Sequence, residues 1–181
     1  MADTKDWTWV LQRRCPECGF EASAVARDQV ATTLRAANFR LLALLDDPLV
    51  RDRPAPEVWS ALEYGCHVRD VHRLYLYRLG LMLDQDDPLF PNWDQDATAA
   101  ESRYELTDLD ELAGDLASAG ERLATAFDAL VDGQWSRTGR RSDGAVFTVE
   151  SFGRYLVHDP VHHVWDVEQG YARLRAQPRE R

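Results

Sequence analysis

Three histidines carry most of the chemistry that this sequence offers: His67, His158 and His162. His158 and His162 are four residues apart, so on a helix they stand one turn above the other on a single face. Phe152, Tyr155, Trp165 and Gln169 continue that face in three- and four-residue steps, which turns it toward the interior. His67 and the later pair each fall near the middle of a long helical pattern. They therefore meet at one depth whether the two helices run parallel or antiparallel. Three imidazoles with an open fourth position suit a catalytic divalent metal, zinc first, with nickel or iron as alternatives. By the same geometry His72, about 140° round from His67, and His163, about 100° from His162, point away from that site. The pattern also fits plain core histidines, and HxxxH on its own recurs by chance.

Glu63, one turn before His67, is the candidate catalytic carboxylate: it could orient the imidazole, supply a fourth ligand, or act as a base. Glu63 and Asp70 equally suit ion pairs with Arg69 or Arg73. Trp59, Tyr155 and Trp165 are candidates for an apolar substrate wall, although helical aromatics are as readily core. Arg154, one turn before His158, and the cluster Arg137, Arg140 and Arg141 could fork onto a carboxylate. Cys15-Pro16-Glu17-Cys18 has the spacing of half a zinc site or a redox dithiol. Cys66 points about 100° away from His67 on the same helix, and with three cysteines in all no four-cysteine site can form within one chain. A zinc completed by His72 or by another subunit, a redox pair, and plain thiols all remain open.

Four helices must position these residues. Val25, Val30, Leu34, Leu41, Leu42 and Leu45 predict a helix over Ser23–Asp46, stopped by Asp47-Pro48. A second is predicted from Pro56 to Asp84. The polar stretch 85–107, broken by Pro88 and Pro91, reads as a crossover. Thr107 with Asp110 reads as a capping box for a third helix ending at Gly133. Ser142-Asp143-Gly144 before Ala-Val-Phe suggests a small β-hairpin, and the last helix spans Thr148–Ala176. The fold class is thus all-α: a four-helix bundle with a long crossover between helices 2 and 3 and a hairpin before helix 4. Residues 1–22 form an N-terminal extension, 23–176 the bundle and 177–181 a tail.

The formal charge of −10 opposes a broad contact with phosphate backbones, so nucleic acid is not an expected partner. No apolar run approaches the roughly 20 residues of a membrane span, and the first residues lack the form of a signal peptide. A cytoplasmic protein with reduced thiols is expected. One lysine against twenty arginines and the lack of isoleucine suit a GC-rich genome. An exposed apolar helix face would allow a homodimer.

The stretch Trp59-Ser60-Ala61-Leu62-Glu63-Tyr64-Gly65-Cys66-His67, with His158-Asp159-Pro160-Val161-His162-His163 far downstream, resembles the DinB/YfiT-like metalloprotein superfamily. That superfamily includes thiol S-transferases and mycothiol-dependent maleylpyruvate isomerases. The resemblance spans roughly residues 23–170 and implies a four-helix bundle with a metal on His67, His158 and His162. It further implies transfer of a low-molecular-weight thiol, mycothiol in a GC-rich actinobacterial host, to an electrophilic small molecule. Hydrolysis through activated water and a non-catalytic metal-binding bundle are the alternatives. The isomerase branch commonly places a carboxylate among its ligands, so three histidines would favour the transferase-like branch. Pro160 departs from an ideal helix between the two late histidines.

Overall fold

A computed structural model describes residues 7–177; positions 1–6 of the extension and 178–181 of the tail lie outside the described residues. The first long helix, α1 (Val30–Leu44), buries Val30, Leu34, Ala37 and Leu41 along one stripe. It starts later than its periodicity predicts. Residues 22–29 form two separate 3-10 turns, Ala22–Ala24 and Arg27–Gln29, and Val25 and Ala26 between them are extended. Arg154 donates from Nε to the Val25 carbonyl at 2.8 Å, which holds that backbone out of the helix.

The next helix, α2 (Ala61–Asp84), also begins downstream of its predicted start. Its cap is Ser60, whose Oγ accepts from the Glu63 backbone N–H at 3.3 Å, while the Glu63 carboxylate accepts from the Ser60 N–H at 2.8 Å. That reciprocal pair satisfies two donors left orphaned by the first turn. Upstream, Ala55 and Val58 form an isolated bridge instead of a first turn.

The connection at 85–108 does not stay extended. It contains a strand, β1 (Leu89–Phe90), a short helix, α3 (Gln95–Glu101), and a 3-10 turn at Tyr104–Leu106. The next helix, α4 (Leu109–Asp128), is capped by Asp108 rather than Thr107, the Asp108 side chain accepting from the Glu111 N–H at 3.0 Å. The expected hairpin is present as β2 (Thr138–Arg141) and β3 (Val146–Thr148), antiparallel to each other, with β1 added in parallel on β2. The last helix, α5 (Val149–Ala176), carries Pro160 in its interior and opens on Thr148, which accepts from the Ser151 N–H.

Helices α1 and α2 each pack against both α4 and α5 and touch one another little. The interior divides into two apolar clusters. One, toward the sheet, holds Tyr75, Leu79, Met82, Phe127, Phe147, Phe152 and Leu156; the other, at the far end, holds Leu41, Leu62, Leu112, Leu116, Val164 and Tyr171. Residues 67–72 of α2 and 158–163 of α5 fall at the junction, so the polar chemistry sits mid-bundle between two apolar plugs. No helix among the described residues is long and apolar enough to cross a membrane.

Candidate metal centre

The helix α5 presents not one pair of ligands but two. His158 and His162 are one i,i+4 pair; Asp159 and His163 are another, about 100° round the same turn. Each pair meets a different neighbour. His67 of α2 joins Asp159 and His163, and Cys15 and Cys18 of the N-terminal segment join His158 and His162, the donor atoms of each group lying within 4.8 Å of one another. The structure therefore does not bring His67, His158 and His162 into one group. His163, which helical angle set aside for facing away from His162, faces His67 for that same reason.

In the first group His67 is 1 % exposed, and neither of its ring nitrogens has a hydrogen-bond partner among the described residues. Its Nε2 stands 3.6 Å from Asp159 Oδ2, and His163 Nε2 stands 3.7 Å from the same atom. Donors bound to one cation at about 2.0–2.2 Å would be roughly 3.4 Å apart, so these separations need only a small contraction. The buried Asp159 Oδ1 is likewise unpartnered. Orphaned buried donors and acceptors of metal-ligating type, converging on one point, fit a divalent cation. His163 donates from Nδ1 to Asp166 Oδ2 at 2.8 Å, which leaves Nε2 with its lone pair toward Asp159. That is how an outer carboxylate fixes a ligand tautomer.

The electrostatics agree. Burial works to raise Asp159, but His163 and His67 beside it hold its carboxyl far below the usual range. Burial works to lower His163, but Asp159 and Asp166 outweigh it and raise this imidazole. By contrast burial, together with the neighbouring His162, lowers His158 to about 4, and burial lowers His162 as well.

A cavity of about 800 Å³ opens beside the group. Trp93, from the 85–108 connection, stacks on His67 with centroids 5.4 Å apart and forms part of its wall. Tyr75, Arg78, Arg141 and Tyr155 also line it, as does Trp7 of the N-terminal segment. Arg141 donates to the Tyr155 hydroxyl at 3.3 Å. Arg78 is 4 % exposed and donates from Nη2 to the Pro91 carbonyl, while its Nε has no partner among the described residues.

Of the four expected substrate-binding residues only Tyr155 lines the cavity. Trp59 lies before α2 rather than on it, and packs against His67, Tyr64 and Tyr104. Trp165 stands against His162, 5.6 Å away. Arg154 is committed to Val25 and Glu150. Among the loop arginines Arg137 holds the Met82 and Gln85 carbonyls and Arg140 pairs with Asp87, so Arg141 alone of that trio reaches the cavity.

Glu63 is not part of either group. Its carboxylate accepts from Ser60 and from both Arg53 nitrogens Nε and Nη2. Burial pushes its pKa up, yet those hydrogen bonds outweigh burial and hold it below the usual range. Three of those bonds fall on Oε2 and one on Oε1, so the carboxylate serves as the cap of α2 and the partner of Arg53. Asp70, the other acid near His67, pairs with Arg69 and accepts from the Tyr104 hydroxyl.

A family model described as the DinB superfamily matches residues 31–172. A search of curated proteins finds no significant match. Among solved structures, the chain is similar to YfiT from Bacillus subtilis, described as a probable metal-dependent hydrolase with an unusual four-helix bundle topology. The TM-score is 0.75 at 18 % identity, over 85 % of this chain and 92 % of that one. At that identity the likeness is one of fold.

Proposed function

The chain belongs to the DinB superfamily, and on that premise we propose that His67, Asp159 and His163 hold a divalent metal ion with which the protein joins a low-molecular-weight thiol to an electrophilic small molecule. The observation that carries this reading is the cavity beside the three residues. At about 800 Å³ it lies toward the upper end of the roughly 300–1,000 Å³ of small-molecule sites, room for two organic reactants. When bound, the cation supplies Lewis acidity that lowers the pKa of a thiol reaching it. Two imidazoles and one carboxylate suit zinc, and also iron or nickel.

The chain's own residues do the rest. Asp159 enters as a carboxylate at neutral pH, and His163 is held by Asp166 with Nε2 toward Asp159. Tyr75, Trp93 and Tyr155 give the electrophile flat walls that exclude water. Arg78, whose Nε has no partner among the described residues, faces the same space with a guanidinium suited to a carboxylate or to the polar body of a thiol such as mycothiol, and Arg141 beside it is already paired with Asp143. As the sulfur–carbon bond forms, the bond from that carbon to its leaving group breaks, chloride in the case of monochlorobimane, and the thiol proton passes to solvent.

Asp159 alters one expectation. With Asp159 in the proposed centre, ligand type no longer separates the transferase-like branch from the isomerase branch, and thiol stoichiometry must do so. A hydrolytic reading is favoured by the likeness to YfiT. It lacks a base, however, because Glu63 is engaged by Arg53 and Asp159 is placed as a ligand.

Metal-loaded protein should accelerate conjugation of mycothiol to monochlorobimane, with one thiol consumed and one chloride released per product. His163→Ala should abolish the acceleration. No acceleration over free metal with mycothiol, glutathione or cysteine would overturn the transferase reading, and turnover of activated esters in its place would establish the hydrolytic one. A thiol required but not consumed, with a maleylpyruvate-like substrate, would establish the isomerase.

A further inference from the structure

The second group on α5 reaches beyond the family match: Cys15 and Cys18 precede residue 31, while His158 and His162 lie within it. We propose that Cys15, Cys18, His158 and His162 form a closed, four-ligand zinc site whose role is to lock the N-terminal segment onto α5 and so complete the wall of the cavity. This site stands independently of the reaction assigned to His67, Asp159 and His163.

The geometry is that of a shared cation. With zinc–sulfur and zinc–nitrogen bonds of about 2.3 and 2.05 Å, a sulfur–nitrogen edge of a tetrahedron measures about 3.6 Å. Cys15 Sγ stands 3.7 Å from His162 Nδ1. The other nitrogen of that ring has carboxylates nearby, neither in a hydrogen bond: His162 Nε2 is 3.4 Å from Glu17 and 3.7 Å from Asp166. An imidazole with one nitrogen toward acids and the other facing a thiol is arranged as a metal ligand. His158 adds an independent sign. It is 5 % exposed, ringed by Trp7, Trp9 and Phe20, and its buried Nε2 has no hydrogen-bond partner among the described residues.

The two thiols come from a knuckle built for the purpose. The Gly19 N–H donates to the Cys15 carbonyl at 3.1 Å, and the Cys15 N–H donates to the Phe20 carbonyl at 2.8 Å. The reversal passes through Gly19 at φ +75°, where a side chain would be strained. Cys15 is buried and Cys18 half-buried, both as free thiols. Two thiolates with a divalent cation and two neutral imidazoles sum to zero charge, so the group can be buried without an unpaired ion. Four protein ligands leave no open position, as in structural rather than catalytic zinc.

The staple secures one wall of the cavity. The 3-10 turns at Thr8–Leu11 and Ala22–Ala24 both pack on α5, and Trp7 and Thr8 line the cavity together with His158 and His162. The N-terminal segment is thus one wall of the site.

Cobalt substitution of the full chain tests the site directly. Wild-type protein should bind two cobalt ions, one of them giving a thiolate-to-cobalt charge-transfer band. The double variant Cys15→Ser with Cys18→Ser should lose that band and one ion, and become more sensitive to proteolysis between residues 7 and 29. His67→Ala should lose the other ion and all turnover but keep the band, so failure of either centre is read separately. A wild-type cobalt protein without thiolate charge transfer would overturn the proposal whether or not the variants fold. So would a Cys15–Cys18 disulfide found by mass spectrometry in protein purified without reductant, with metal content unchanged in the double variant.

Discussion

Replacing Asp166 with Asn should weaken the two centres unequally. The Asp166 carboxylate accepts from His163 Nδ1 at 2.8 Å, a charge-assisted bond, but stands 3.7 Å from His162 Nε2, beyond hydrogen-bond reach. Glu17, at 3.4 Å from that same nitrogen, can serve His162 in its absence. Loss of an outer carboxylate costs about 10- to 100-fold in metal affinity, about 1.4–2.7 kcal/mol. That loss should fall on the His67, Asp159 and His163 centre, with only a small factor at the cysteine-containing one. Asn keeps the shape and an acceptor oxygen, so the change isolates the charge and the fixed tautomer. Competition against a chromophoric chelator resolves the two affinities, and the cobalt–thiolate band identifies which centre is titrating. Equal weakening at both, or none at the histidine–aspartate centre, would refute the assignment of Asp166 to His163. The melting curve of the metal-free variant serves as the check that the bundle itself is intact.

Glu63→Gln should lower stability by about 1–3 kcal/mol, toward the lower figure because Arg53 is half exposed. Metal content and turnover should not change; lost turnover with unaltered urea unfolding would instead return Glu63 to the chemistry. His72 is fully buried and burial pushes its pKa down to about 4. The unfolded chain takes up that proton near 6.5, so between the two values the unfolded state holds more protons. Stability is therefore whole above about pH 6.5 and declines as pH falls toward 4, by at most about 3 kcal/mol. His72→Leu should remove that share of the acid sensitivity in chelator-treated protein, and an unfolding free energy with the same pH slope would show that His72 is not responsible.

Periodicity sufficed for the long helices because their buried stripes are formed within each helix. It failed at their N-termini, where long-range bonds decide: Arg154 draws Val25 out of the helix, and Ser60 with Glu63 sets the start of α2. The second of these was readable, since Ser60-x-x-Glu63 before an apolar run is a capping-box pattern that engages the Glu63 carboxylate. The histidines and their depth were legible, but not which side chains group together. A helix fixes the angle between its own side chains, not which neighbour each face will meet, and His158-Asp159-Pro160-Val161-His162-His163 offers two equally good i,i+4 pairs. Cys15 meets His162 across 147 residues, and no local pattern encodes that contact. Trp93, Arg78 and Asp166 became visible only once the 85–108 connection and α5 were folded around His67.

Pro160 gives the paired arrangement on α5 a mechanical meaning. A proline inside a helix cannot donate to the carbonyl four residues back, here Leu156, so one turn of α5 is a soft joint in an otherwise stiff rod. His158 with His162 spans that joint on one side, and Asp159 with His163 spans it about a quarter turn round. Two braces set at nearly right angles resist flexing in both planes, as two guy-ropes steady a mast that one would leave free to sway. A cation in each proposed centre would tie that soft turn to His67 of α2 on one side and to Cys15 and Cys18 of the N-terminal segment on the other.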